Sequence, residues 1–166
     1  MSDVHFLEVK GKERIGQVAE LAARIWRNHY TPIIGEAQVE YMLDKFQSAE
    51  AIGKQIDDGY DYRLIVDAEG KDVGYFGVVP RKNELFLSKL YILCGNRGKG
   101  YGRRAVEEVS KLAKKLKLPK ITLTVNKNNA DSIKAYEKFG FKIKDSVVND
   151  IGSGFVMDDY VMEKTI

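Results

Sequence analysis

The stretch richest in usable chemistry runs Leu90-Tyr91-Ile92-Leu93-Cys94-Gly95-Asn96-Arg97-Gly98-Lys99-Gly100-Tyr101-Gly102-Arg103-Arg104. It reads as a strand that passes through a glycine-rich loop into a helix. Glycines let the backbone enter left-handed or crowded conformations, the turn exposes N–H groups, and a helix N-terminus adds partial positive charge, so such a junction can hold a phosphate. Arg97, Lys99, Arg103 and Arg104 add fixed charges around it. The alternative is a glycine-rich turn with solvated basic residues. Neither common nucleotide motif fits. The spacing is G-x-G-x-G rather than the dinucleotide fingerprint, and no acid terminates the next strand at Val125-Asn126. Gly98-Lys99 is followed by Gly100, where a P-loop needs Ser or Thr. Farther along, Asn129 stands where a helix cap would, and Tyr136 lies at helical spacing from Ile133 and Phe139, as a core aromatic would. Cys94 adjoins the loop without a histidine nearby and reads as a small buried residue rather than an acyl carrier.

The elements that must position these residues follow from the hydrophobic period. Ile15, Val18, Leu21, Ala22, Ile25 and Trp26 predict a helix over residues 14–28, with Thr31-Pro32 ending it. Val39, Met42, Leu43 and Phe46 predict a second helix, and a shorter one follows Ser48 and stops at Gly59. A short strand at 6–9 precedes them. From Tyr62 the period changes to that of strands at 62–66, 73–79 and 84–93, an antiparallel meander. Tyr101, Ala105, Val106, Val109, Leu112, Ala113 and Leu116 line one face of a long helix that ends before Pro119. A strand at 121–125, a helix at 129–139 closed by Gly140, and strands at 141–147 and 155–164 complete the chain. Strand, long helix, strand is a right-handed crossover, so its two strands run parallel within an otherwise antiparallel sheet.

Composition bounds the rest. The 166 residues fit one domain over 1–166, and 44% hydrophobic with 31% charged residues is the balance of a globular chain. One cysteine and two histidines, His5 and His29, leave no thiolate metal site and predict no metal. No apolar run reaches the ~18 residues of a membrane span and the first residues lack the apolar stretch of a leader, which predicts a cytoplasmic protein with no membrane partner. The net charge of +3 is unevenly spread. Residues 97–120 hold nine basic against two acidic side chains, whereas residues 36–61 hold seven acidic against two basic. The first segment suits an anion and the second a cation. Without interleaved exposed aromatics the basic segment does not predict nucleic-acid binding, and its lysines from Lys111 to Lys117 favour the helix C-terminus.

The sequence resembles the GCN5-related N-acetyltransferase (GNAT) family. The family's Gln/Arg-x-x-Gly-x-Gly/Ala signature is matched by Arg97-Gly98-Lys99-Gly100-Tyr101-Gly102, and its downstream Asn, Ala/Ser, Tyr and Gly-Phe by Asn129, Ser132, Tyr136, Gly140 and Phe141. The resemblance is specific over residues 73–164, and its final strand is loosely similar to that of bacterial polyamine-acetylating members. It implies an α/β (α+β) fold with a mixed, mostly antiparallel central sheet, one parallel strand pair and flanking helices. It further implies acetyl-CoA as co-substrate, a strand before the loop that splays from its parallel neighbour, and direct transfer to an amine in a ternary complex. The backbone N–H groups of Gly98, Gly100, Tyr101 and Gly102 would hold the pyrophosphate, with Arg97 and Lys99 beside it. Tyr91, Ile92 and Leu93 would pair with the pantetheine arm, Asn129 and Ser132 belong to the second cofactor motif, and Tyr136 would face the sulfur. A departing thiolate of pKa ~8.5 can take a proton from a phenol of pKa ~10 held in place.

Amide formation needs a free lone pair, and a lysine-like amine of pKa ~10.4 is deprotonated in only about one part in two or three thousand at pH 7. That deficit is worth ~4.6 kcal/mol. Many members of the family carry a Glu on the strand before the loop at the position of Ser88, and serine is no base. Glu84 on the same strand is the leading substitute, ahead of Asp158, Asp159, Glu36 and Glu40. The acidic segment predicts a cationic acceptor such as a polyamine, an aminoglycoside or a protein amine. A non-catalytic acyl-CoA-binding sensor or interaction module would need the same loop, and a homodimer through sheet edges is allowed for.

Overall fold

The structure, a computed structural model, describes residues 4–166. Its strands are ordered β1-β2-β3-β4-β5-β7-β6, with β4 and β5 parallel and the pairs β1–β2, β2–β3, β5–β7 and β6–β7 antiparallel. These are β1 (His5–Glu8), β2 (Asp61–Val66), β3 (Asp72–Arg81), β4 (Glu84–Ile92), β5 (Lys120–Asn126), β6 (Lys142–Gly152) and β7 (Phe155–Thr165). Packing divides the chain into two compact units, one reaching to Val79 and including Lys89–Ala105, the other formed by Pro80–Ser88 with Val106–Ile166.

The first unit holds α1 (Gly11–His29), α2 (Thr31–Ile34), α3 (Glu36–Phe46) and α4 (Ala49–Asp57). Val18, Leu21, Ala22, Ile25 and Trp26 are the buried face of α1, the stripe that the 3.6-residue period dictates. Val39, Met42 and Leu43 do the same for α3 and Ile52 for α4, whose first turn is capped by Ser48 accepting from the Ala51 N–H at 3.1 Å. Thr31-Pro32 opens the four-residue α2 instead of simply ending α1, because proline is tolerated in a first helical turn, where its missing N–H would have no partner. Gly74 on β3 is forced by contact: a Cβ there would stand 2.4 Å from the Tyr91 carbonyl oxygen and 3.3 Å from Ile92 Cα. The same junction is fastened by the Leu93 N–H donating to the Val73 carbonyl at 2.8 Å.

The second unit pairs the start of β4 with β5 and carries α6 (Ala130–Lys138). The long helix α5 (Tyr101–Lys115) contributes its length from Val106 onward. Leu85, Leu87, Ile121, Leu123, Phe141, Met162, Val109 and Ala113 are among its buried apolar residues. The parallel ladder consists of Leu85↔Ile121 and Phe86↔Thr122, whereas β5 pairs with β7 over its whole length, from Lys120↔Thr165 to Asn126↔Asp159. The last two strands are longer than the residue pattern predicts, β6 running to Gly152. Their cross-strand partners extend the ladder through mostly exposed residues that carry no hydrophobic period.

Candidate active site

In the first unit, β4 ends at Ile92, a single 3-10 turn spans Cys94–Asn96, and the chain enters α5 at Tyr101, which is buried and anchors the helix start. Gly98 and Gly100 take φ of 77° and 85°, left-handed values that side-chain-bearing residues avoid. A Cβ at either would meet nothing within 4 Å, so backbone conformation rather than crowding requires glycine, and the loop is open on that side. The Arg104 N–H donates to the Gly100 carbonyl at 3.1 Å, closing the first turn of a helix whose leading N–H groups precede any intrahelical acceptor. Arg97 is already engaged: its Nε donates to the Ile92 carbonyl at 3.3 Å and its Nη1 lies 3.1 Å from His29 Nδ1. Cys94, predicted as buried, is exposed, because the 3-10 turn lifts it away from the strand.

Tyr91 is fixed by an aromatic cluster that the sequence pattern did not single out. Its ring centroid is 5.4 Å from Trp26, 6.0 Å from Tyr30 and 5.5 Å from Tyr75, and Trp26 lies 4.4 Å from Tyr30. Two residues earlier on β4, Lys89 is only 7% exposed. Its Nζ donates to Gln55 Oε1 at 2.6 Å, to the Phe46 carbonyl at 3.2 Å, and to the Tyr62 hydroxyl. Burial brings its pKa down to about 7. The signal for it was parity, since Lys89 follows Leu85 and Leu87 at alternate positions that face inward. Part of the acidic segment is spent internally. Glu40 takes a two-pronged hydrogen bond from Arg27 at 3.0 and 2.9 Å, and Asp61 takes one from Arg63 at 3.0 Å in each prong. A groove of about 280 Å³ between α1 and α3 is lined by Arg27, Glu40, Asp44, Gln47 and Ser48, and by no residue of the glycine loop.

In the second unit, Asn129 occupies the N-cap position of α6, with its N–H bonded to the Asn126 carbonyl at 3.0 Å. Its buried side chain makes no capping bond, so the cap alternative does not account for it. Ser132 and Tyr136 follow on the same helix. The Tyr136 ring packs edge-on against Phe141 at 5.5 Å and Phe139 at 6.4 Å. Glu84 opens β4, eight residues before its last, and receives the Thr122 hydroxyl. Asp159, on β7 opposite Asn126, is 2% exposed, and its Oδ1 has no hydrogen-bond partner among the described residues. Among those residues no group of three or more His, Cys, Asp or Glu is placed to hold a metal, and no helix is long and apolar enough to cross a membrane.

The sheet with its one parallel pair and the glycine loop that opens α5 define the type of protein. Residues 19–141 match the model of the acetyltransferase (GNAT) family, and the chain belongs to that family. It is 26% identical over 151 residues to an uncharacterised N-acetyltransferase of Mycobacterium tuberculosis, covering 90% of this chain and 96% of that one. It is 23% identical over 150 residues to a spermidine N(1)-acetyltransferase of Thermoplasma acidophilum, covering 88% and 91%. The fold superposes with a TM-score of 0.81 on the PaiA N-acetyltransferase of Thermoplasma acidophilum, solved in complex with coenzyme A, over 99% of both chains at 22% identity.

Proposed function

We propose that this protein transfers an acetyl group from acetyl-CoA to a primary amine of a small cationic acceptor, directly and in a ternary complex. The observation that carries the reading is the junction of β4 and α5. Its left-handed Gly98 and Gly100 stand beside open space in a loop that leads into a helix N-terminus flanked by Arg97, Lys99, Arg103 and Arg104, a setting that suits a diphosphate. Gly98, Gly100, Tyr101 and Gly102 hold the diphosphate through main-chain amides, with Arg97 and Lys99 beside it. Tyr91, Ile92 and Leu93 align the pantetheine arm, the aromatic cluster keeping that strand end rigid, and Asn129 and Ser132 bind it from α6. When bound, acetyl-CoA supplies an activated thioester. Tyr136 gives its proton to the departing sulfur, and its packing against Phe139 and Phe141 fixes the direction of the phenol.

A cationic acceptor is supported by the excess of acidic residues in 36–61 that survives the two internal ion pairs, and by the spermidine acetyltransferase among the relatives. The test is thiol release from acetyl-CoA against a panel of polyamines, aminoglycosides, amino acids and peptides. Turnover is expected with polyamines or aminoglycosides, and a preference for acidic acceptors would contradict the proposal. Tyr136→Phe is expected to lower kcat by roughly 100-fold or more while coenzyme A still binds. Unchanged kcat would remove the acid role.

A further inference from the structure

The second unit contains a buried carboxylate that the reading above leaves without a task. Directly paired residues of an antiparallel ladder project to the same face, so Asp159 shares a face with Asn126 of β5 and Val147 of β6. Alternation along β5 adds Thr122 and Thr124 to that face, and the parallel pair Phe86↔Thr122 adds Phe86 and Ser88 of β4. Glu84 and Glu163 lie on this face as well, but Glu84 takes the Thr122 hydroxyl and Glu163 is paired with Lys120 and Lys144. Asp159, by contrast, keeps a buried oxygen with no partner among the described residues and lies opposite Asn126, whose carbonyl takes the Asn129 N–H at the start of α6. An enclosed carboxylate oxygen with no donor costs free energy that an apolar residue would avoid, so packing alone does not explain it. The face is open next to it, since Asn126 is half-buried and Thr124 exposed.

We propose that Asp159 is the proton acceptor for the attacking amine, taking one proton from the acceptor's ammonium group so that the neutral amine can attack the thioester carbonyl. The assignment rests on the acetyl-transfer reading. Of the three ammonium protons one goes to Asp159 and then to solvent, one stays on the amide, and the third leaves the nitrogen as the C–S bond breaks and passes through solvent to the phenolate that Tyr136 becomes on protonating the sulfur. The departing thiolate receives a proton from Tyr136. Burial, and then the neighbouring charge of Asp158, raise the Asp159 pKa to about 6, against an opposing pull from Lys127, whose Nζ is 2.8 Å from Asp158 Oδ1. The cross-strand partners Asn126 and Val147 bring no charge. A carboxylate of that pKa is about nine-tenths ionised at pH 7, and remains far more basic than an exposed aspartate. Glu84 differs in that its carboxylate already takes the Thr122 hydroxyl.

The experiment measures acetyl transfer to the best amine of the panel between pH 5 and 9 for wild type, Asp159→Asn, Asp159→Glu and Glu84→Gln. It is read beside coenzyme A affinity by calorimetry, Tm, and the Asp159 side-chain carbonyl shift by NMR. The expected result is an acid limb in kcat/KM near pH 6 that coincides with the NMR titration. Asp159→Asn should lose that limb and about 100-fold to 10,000-fold in kcat with coenzyme A affinity and Tm retained. Asp159→Glu should keep part of the turnover and the limb. The assignment is overturned if Asp159→Asn keeps wild-type kcat, if the limb disappears in Glu84→Gln instead, or if Asp159→Glu is as inactive as Asp159→Asn. Wild type that binds coenzyme A yet releases no thiol with any amine overturns the transfer reading itself, and this assignment with it.

Discussion

Lys89 shows how a single side chain sets the balance between burial and charge. Its pKa of about 7 in the folded protein compares with about 10.4 in an unfolded chain, so between those values the unfolded chain binds a proton that the folded one does not. Unfolding free energy therefore rises with pH across that window. Below pH 7 the folded state carries the whole net cost of the buried ammonium, on the order of 4–5 kcal/mol, and above about pH 10 it carries none. Lys89→Met keeps the length and removes the charge. The acceptors it abandons keep other donors, since the Phe46 carbonyl retains Gln55 Nε2 at 3.2 Å and Gln55 Oε1 retains the Tyr62 hydroxyl. The variant is expected to be more stable than wild type at pH 6 by a few kcal/mol and to show a flatter rise toward pH 9. Urea unfolding at both pH values measures this, and an identical pH slope in the two proteins would refute it. The glycines and Tyr136 were legible in the sequence because they belong to a spaced motif. Lys89 was not, because a lysine reads as a solvated residue unless strand parity is followed through it. Asp159 was legible only as one acid among several, since burial and an empty acceptor oxygen are properties of the ladder around it.

At the scale of elements, the hydrophobic period identified nearly every helix and strand, since α1, α3 and α5 each present one apolar stripe and β2 to β5 alternate or run fully apolar. What it could not supply was the close approach of two strands. Gly74 looks like an ordinary strand glycine in the sequence, yet its missing side chain lets the Tyr91 carbonyl come where a Cβ would be 2.4 Å away. Backbone cannot rotate out of the way as a side chain can, so Gly74→Ala must push β3 from the end of β4, the segment that leads into the glycine loop. The expected cost is about 1–3 kcal/mol, with a rise in KM for acetyl-CoA as Tyr91 to Leu93 shift. Gly77→Ala is the comparison. Its Cβ would press on the Tyr62 ring at 3.1 Å, and a smaller effect confined to stability is expected there. Equal effects of the two substitutions on KM would show that the β3 contact does not position the loop.

For the whole molecule, composition spoke to a globular chain and to the sign of partners, and the structure moderates the second message. Two of the seven acids in residues 36–61 are tied to Arg27 and Arg63, so the segment's field on a cation is weaker than the residue count suggests. The basic stretch has a more definite consequence. If the glycine loop takes a diphosphate, coenzyme A binds the folded chain and not the unfolded one, and stability must rise by mass action, about 2.7 kcal/mol at a ligand concentration of 100 Kd. For a chain of this length that is a Tm increase of roughly 5–11 °C. Pantetheine lacks the diphosphate and the nucleotide, so it is expected to raise Tm by far less at the same concentration. The coenzyme A shift should shrink as salt rises, because Arg97, Lys99, Arg103 and Arg104 act on phosphate charge that ions screen, whereas any pantetheine shift should hardly change. Scanning calorimetry with both ligands at low and high ionic strength separates the possibilities. Equal shifts from pantetheine and coenzyme A would mean that the main-chain amides of Gly98 to Gly102 hold no diphosphate.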